Sequence, residues 1–214
     1  MNTGYLSLWI LIIAVILIVT GWREQVVGHS KLWLVAAAAG FSLMLQHEVV
    51  TIQSGLHGII NIHLSIIGVL IVVAAAARGT RQAASLLLCV VSSLLVGIIW
   101  GSVRIMYSYD PVLYVFHPTW DGPLIGGLLT AAFTTKVPNQ AAIIGAGALA
   151  ADALAIIWLP DGNPYTIGHL SWWDTCILAY ATARAASAGG RLVSIAAVRL
   201  RTSLTNNRGG QSPS

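Results

Sequence analysis

The sequence predicts an all-α protein, a polytopic bundle of about seven transmembrane helices. Of its 214 residues, 57% are hydrophobic and only 8% are charged, and the mean hydropathy is +0.80. Soluble globular domains contain about 25% charged residues, so this chain falls outside that class. The apolar residues also form runs long enough to cross a hydrocarbon core of about 30 Å, which takes about 20 helical residues. We therefore expect residues 1–188 to form a membrane domain.

Seven apolar runs are the candidates for membrane-spanning helices. In chain order they cover residues 5–22, 31–46, 56–77, 82–106, a short run that ends near Thr135, 140–159 and 172–188. The first run has no Lys or Arg before it and no small-x-small cleavage pattern after it. We expect it to be a retained helix rather than a secretory signal.

The positive charges predict how the bundle is oriented. With seven spans, ten of the eleven Lys and Arg residues lie on one side of the membrane and Arg104 lies on the other. Cytoplasmic loops carry the excess of Lys and Arg, so we expect an outer N-terminus and a cytoplasmic C-terminus in the cell membrane. The pI of 9.4 could suggest nucleic acid as a partner. Because the charges are spread over several loops and not gathered in one patch, the sequence argues against it.

The end of the chain is predicted to leave the membrane. Gly189 and Gly190 are expected to break the last helix, and residues 189–205 to form a basic helix on the anionic inner surface. Residues 206–214 have the polar and glycine-rich composition of a disordered cytoplasmic tail.

Small residues four positions apart predict how the helices associate. Lipid is as apolar as leucine, so helices in a bilayer pack through close backbone approach. Such pairs occur in three places: Ala36 with Gly40, Ala146 with Ala150, and Gly147 with Ala151. They predict a compact bundle in the lipid bilayer. They leave open whether the partner helix belongs to the same chain, to another protein or to a second copy in a homo-oligomer.

Ionisable residues inside the apolar runs are costly and mark candidate sites. Asp152, in the sixth run, is the clearest example and needs a partner. If residues 56–77 are helical, His57 and Asn61 share one helix face with Ser65, because residues four apart are neighbours on a helix. These side chains then lie at the depth of Asp152.

The segment between the fourth and fifth runs, YDPVLYVFHPTWDGP, adds His117 and Asp121 on the same outer side. Carboxylates and imidazoles bind cations or relay protons. The candidate proton or cation site therefore consists of Asp152, His57, Asn61, His117 and Asp121. The alternative interpretation is that each group satisfies a helix end, a neighbouring side chain or a lipid headgroup. In that case Asp121 caps the helix that follows it, and Arg104 pairs with Asp110 or Asp121.

Catalytic and cofactor motifs are missing from the sequence. It contains no HExxH zinc motif, no GxSxG nucleophile elbow and no complete phosphate loop. Cys89 and Cys176 lie in apolar runs without the spacing of a metal site or a disulfide scaffold. We expect no enzyme activity, no cofactor and no metal ligands.

Several short motifs resemble one protein family. The chain reads GYLSLW and then TGW near its start, YDPVLYVFHPTWDGPLIGGLLTA in its centre, and SWWD at residues 171–174. This pattern resembles the YphA-like family of small polytopic membrane proteins of spore-forming Gram-positive bacteria. The resemblance implies a sporulation-linked role in spore envelope assembly, without an established enzyme activity, ligand or set of functional residues.

Three functional hypotheses follow. The first is a structural or assembly protein of the membrane, and it is suggested by the small-residue helix faces and the resemblance. The second is a small transporter or channel that conducts protons or cations through Asp152 and the outer His and Asp residues. The third is a metal-dependent hydrolase that uses His117 and Asp121. The sequence favours the first, because it contains no catalytic motif and no obvious inverted repeat of the kind found in transporters.

Overall fold

The computed structural model describes residues 3–27, 42, 44–54, 58–79, 82–158 and 165–209, and most of them are helical. In chain order, the helices are α1 (Tyr5–Val26), α2 (Ile66–Gly79), α3 (Ala83–Tyr109), α4 (Asp121–Phe133), α5 (Val137–Trp158) and α6 (Leu170–Gly209). The strands are β1 (Val49–Ser54), β2 (Gly58–His63) and β3 (Tyr165–Ile167), and short 3-10 turns cover Leu45–His47 and Pro111–Leu113.

Three of the described helices are long and apolar enough to cross a membrane: Tyr5–Val26, Ala84–Tyr109 and Val137–Trp158. They coincide with the first, fourth and sixth runs that the sequence predicts. Helix α4 coincides with the fifth run and has 13 residues. At 1.5 Å per residue it is about 20 Å long, shorter than a hydrocarbon core. The second run, 31–46, lies almost entirely outside the described residues.

The third run, 56–77, is not one helix, so the described part of the chain is mostly helical, as predicted, but also contains a small sheet. Residues Gly58–His63 form β2, and α2 begins only at Ile66. Strand β2 pairs antiparallel with β1 and parallel with β3 in a three-stranded sheet. Strand β1 contains two valines, a threonine and an isoleucine, and β2 contains three isoleucines; these branched side chains favour extended backbone. Hydropathy alone does not separate such a strand from a helix.

The strand changes which side chains share a face. In a helix Asn61 and His63 point in nearly opposite directions, whereas in β2 they lie on the same face, because side chains alternate along a strand. His57 lies outside the described residues, so the predicted helix face cannot be drawn through it. The Asn61 side chain instead accepts a hydrogen bond from Thr51 Oγ1 on the neighbouring strand, at 3.0 Å.

Helices α3 and α5 pack with their backbones in close contact. A Cβ atom at Gly97 of α3 would lie 2.5 Å from Ala150 Cβ and 2.8 Å from the Gly147 carbonyl oxygen. A Cβ atom at Gly101, one turn further along, would lie 3.1 Å from the Ala151 carbonyl oxygen. The partner of the small-residue face on α5 is thus a helix of the same chain.

Helix α1 lies on the surface of the bundle, and polar groups of α6 hold it at both ends. None of its side chains is buried. Asp174 of α6 accepts hydrogen bonds from the backbone N–H groups of Gly4 and Ser7, each at 2.7 Å. At the other end, Tyr180 donates to the Val26 carbonyl at 2.7 Å, and Arg184 Nε donates to the Gln25 carbonyl. These bonds satisfy backbone groups that helix ends leave without partners.

Helix α1 bends at a glycine that precedes Gln25 and Val26. Tyr5–Leu17 is α-helical, Ile18–Trp22 forms a π-helical turn, and Gly21 within that turn has a φ of 98°. Glycine adopts this left-handed conformation without the steric cost that a Cβ atom imposes. The chain therefore changes direction at Gly21, and Arg23–Val26 forms a separate helical turn.

Helix α6 runs through Gly189 and Gly190 to Gly209, so the expected break at the diglycine is not present. A glycine ends a helix by adopting a positive φ, and among the described glycines only Gly4, Gly21 and Gly168 do so. Residues 191–199 are exposed. Residues 206–209, predicted as the start of a disordered tail, continue the helix, and residues 210–214 lie outside the described part.

The contact between α3 and α5 leads to a test with a matched control. Gly97→Ala should destabilise the bundle by about 1–3 kcal/mol, the usual cost of inserting atoms into a packed core. Gly189→Ala should be neutral or stabilising by up to about 1 kcal/mol, because alanine favours helix and a Cβ there meets nothing within 4 Å. Unfolding of the purified variants in detergent measures both effects. Equal stability of the two variants would contradict the packing.

Candidate functional site

The centre of the polar interior is the carboxylate of Asp152, which is buried in α5. Only 2% of its side chain is exposed. Arg104 Nη1 of α3 lies 2.6 Å from Asp152 Oδ1, and the Tyr165 hydroxyl of β3 donates to the same oxygen at 2.9 Å. Trp172 Nε1 of α6 donates to Oδ2. These four residues, which we name the Asp152 cluster, join four elements of the fold.

The hydrogen bonds within the Asp152 cluster are mutually consistent. Arg104 Nη1 also donates to the Tyr165 hydroxyl oxygen at 2.6 Å, which leaves the Tyr165 proton free to point at Asp152. Burial, and after it the negative charge of Asp152, raises the pKa of Tyr165 well above its usual value. The hydroxyl therefore keeps its proton and stays a donor. A buried carboxylate needs such partners, because desolvation without them is costly.

Arg104 does not pair with Asp110 or Asp121, as the sequence suggested, and its partner is Asp152. Helix geometry explains the choice. Arg104 lies five residues before the end of α3 at Tyr109, and Asp152 lies six residues before the end of α5 at Trp158. At 1.5 Å per residue both are about 8–9 Å from neighbouring helix ends, so they meet at one level.

Asp121 forms a second polar centre. Its side chain is buried, and Tyr107 of α3 donates to Oδ2 at 2.9 Å. The backbone N–H groups of Val115, Phe116 and His117 donate to the same carboxylate at 2.9–3.3 Å. These hydrogen bonds hold the preceding loop against Asp121.

This arrangement differs from the expected helix cap. An N-cap side chain accepts from backbone N–H groups two or three residues later in the chain. The Asp121 carboxylate accepts from N–H groups four to six residues earlier, and Trp120 occupies the N-cap position of α4. The carboxylate therefore fixes the loop onto the bundle, and α4 begins at Asp121 without a side-chain cap.

The remaining predicted site residues lie apart from the two carboxylates. The exposed His117 has Nδ1 2.7 Å from Thr119 Oγ1, and its ring contacts Trp120 with centroids 5.2 Å apart. Asn61 is on β2 with Thr51, as described above. His57 is outside the described residues. Within the described part, no group of three His, Cys, Asp or Glu side chains is placed to hold a metal ion.

A cavity of about 250 Å³ lies between α3, the loop and the start of α4. Its lining includes Arg104, Tyr107 and Trp100 of α3 together with Tyr114 of the loop and Gly122 of α4. Neither Asp121 nor Asp152 lines it. Each carboxylate accepts from its own donors, and Arg104 is the charged residue in the lining of the cavity.

Sequence reasoning did not single out Tyr107, Tyr165 or Trp172, and it gave Arg104 a different partner. Trp172 and Tyr107 are buried and donate to carboxylates. The level of each residue along its helix was the available signal. An arginine and an aspartate that lie at equal distances from neighbouring helix ends can form an ion pair.

The Asp152 cluster predicts a strong coupling between its two charges. Arg104→Gln alone leaves the carboxylate buried without its ion pair and should cost about 3–5 kcal/mol of unfolding free energy. Asp152→Asn alone should also be destabilising. The double variant removes both charges and should recover a large part of the loss. Denaturant unfolding of the three variants measures the coupling, and strictly additive effects would contradict it.

The Asp121 carboxylate predicts a local change in the loop. Asp121→Asn replaces one acceptor oxygen by an amide donor, and hydrogen bonds to charged groups contribute about 1.5–3 kcal/mol. Hydrogen exchange at the Val115, Phe116 and His117 amides should become at least about tenfold faster. Asp110→Asn is the matched control in the same loop, since Asp110 accepts from Val112 instead. Unchanged exchange in the Asp121 variant would contradict the role of this carboxylate.

Comparison with known proteins gives one match that covers nearly the whole chain. The family described as YphA-like integral membrane protein matches residues 3–209. No curated protein and no solved structure matches the chain. The match confirms the resemblance seen in the sequence motifs, and it agrees with the three helices that are long and apolar enough to cross a membrane. The chain belongs to the YphA-like integral membrane protein family.

Proposed function

We propose that this integral membrane protein has a structural or assembly role and no enzyme activity. The observation that carries the proposal is the saturation of its buried carboxylates. Asp152 accepts from three side chains, and Asp121 accepts from Tyr107 and three backbone groups. Groups that relay protons or bind cations need a free position for the ion. Here the donors belong to the protein, and they hold helices together.

The proposal includes the multi-pass topology and the location. The seven runs and the distribution of Lys and Arg support an outer N-terminus and a cytoplasmic C-terminus in the cell membrane. Gly147, Ala150 and Ala151 of α5 contact α3, so a protein partner or second copy would use another surface. The exposed part of α6 after Gly190 offers apolar residues such as Leu192 and Val193 beside Arg191.

The biological process in the proposal is sporulation, with a role in assembly of the spore envelope. Its support is the family resemblance set out above. A deletion in the native host should give spores with an incomplete or detached envelope in thin-section electron microscopy. Expression of the wild-type chain should restore the envelope. Spores of the deletion strain with an intact envelope would overturn the proposed process.

A proton or cation path through Asp152 is the alternative function. A complementation experiment separates it from the assembly role. The double variant Arg104→Gln/Asp152→Asn carries no charge at the cluster and should still restore the envelope if the protein acts by assembly. In liposomes, the wild-type protein should pass protons and divalent cations no faster than empty vesicles. A flux that the double variant abolishes would favour transport instead.

A further inference from the structure

The cavity beside Arg104 has the features of a binding site that neither the family match nor the proposed function assigns. Its volume of about 250 Å³ equals the liquid volume of about eight water molecules. This is smaller than the pockets of drug-sized ligands, which begin at about 300 Å³. The cavity therefore suits a compact group, such as a phosphate with a few attached carbon atoms.

Arg104 is the charged residue in the lining of the cavity. Arg104 uses Nη1 for Asp152 and for Tyr165. Its other donors, on Nε and Nη2, make no hydrogen bond to any described residue, and 34% of the side chain is exposed. Nε and Nη2 form the planar edge that binds two oxygens of a phosphate or carboxylate at once. Asp152 and Tyr165 fix this edge in place before a ligand arrives.

The remaining lining includes aromatic rings and two hydroxyl-bearing residues, Ser108 and Thr119, whose hydroxyls already have partners in the Ile105 carbonyl and His117 Nδ1. The Tyr107 hydroxyl is directed to Asp121, and the Tyr114 hydroxyl donates to the Tyr107 carbonyl at 3.4 Å. The Tyr107 and Tyr114 rings pack edge to face, with centroids 4.9 Å apart. Trp100 contacts Gly122, where a Cβ atom would lie 2.6 Å from Trp100 Cδ1. Such walls suit the carbon atoms next to a phosphate.

The expected depth of Arg104 in the membrane indicates that the phosphate belongs to a lipid. Helix α3 has 27 residues and is about 40 Å long. A bilayer is about 30 Å thick across its hydrocarbon core and about 40–45 Å with its headgroups. Arg104 is about 8 Å from the end of α3 at Tyr109, which places the guanidinium near the boundary between hydrocarbon and headgroups. Lipid phosphates lie next to that boundary.

We propose that the Arg104 cavity binds the phosphate group of a phospholipid or lipid-linked molecule from the adjacent leaflet. The planar edge of Arg104 holds the phosphate oxygens, and the rings of Trp100, Tyr107 and Tyr114 enclose the atoms beside it. The proposal does not rest on the assembly role, because the lipid site can be measured on purified protein.

Calorimetric titration of the full-length protein in a phosphate-free detergent tests the proposal. The probes are dihexanoyl phosphatidylglycerol below its micelle concentration, dihexanoylglycerol with the same chains and no phosphate, and inorganic phosphate. We expect saturable binding of the phosphatidylglycerol alone. Equal affinity for dihexanoylglycerol would overturn recognition of the phosphate, and equal affinity for inorganic phosphate would overturn a lipid source.

Two variants locate the site without touching the Asp152 cluster. Ser108 is exposed at the cavity and its Oγ donates to the Ile105 carbonyl three residues earlier. Ser108→Trp should fill the cavity and weaken phosphatidylglycerol binding at least tenfold. Ser194 of α6 is also exposed, makes the same local bond to Arg191 and is outside the cavity, so Ser194→Trp should bind as wild type. Undiminished binding in a folded Ser108→Trp variant would overturn the proposal.

Discussion

The burial of the Asp152 carboxylate is the constraint on which the rest of the bundle depends. A carboxylate that is 2% exposed inside an apolar bundle must keep its donors, because the cost of desolvation otherwise exceeds what a helix contact supplies. Its donors come from α3, β3 and α6. A shift of any one of these elements would remove a partner from the charge. The ion pair therefore selects one relative arrangement of helices whose apolar faces would tolerate several.

Close backbone packing and polar helix ends complete that arrangement. Gly97 and Gly101 bring α3 against α5, at the level where Arg104 can reach Asp152. Helix α6 supplies Asp174 to one end of α1 and Arg184 to the other. The bundle thus uses van der Waals contact along its axis and hydrogen bonds at its ends. This division is expected in lipid, where apolar surfaces gain little by meeting each other.

The sequence predicted those parts of the structure that depend on hydropathy or on a charge in an apolar run. The helices α1, α3 and α5 and the need of Asp152 for a partner belong to this group. Strand β2 was missed because a segment rich in isoleucine is equally apolar in a strand and in a helix. Only its pairing with β1 decides between the two structures. Asn61 was misplaced for the same reason. The loop around Asp121 was missed because its donors are backbone N–H groups, which carry no sequence signal.

The bend at Gly21 has a consequence for the surrounding lipid. The straight part of α1 before it has about 16 residues and is about 24 Å long, about 6 Å less than a hydrocarbon core of about 30 Å. A helix shorter than the core is accommodated by local thinning of the bilayer, and mismatch costs fractions of a kcal/mol per Å. We therefore expect the lipid that contacts α1 to be thinner than the average bilayer. Such thinning would favour positions where the membrane is already thin.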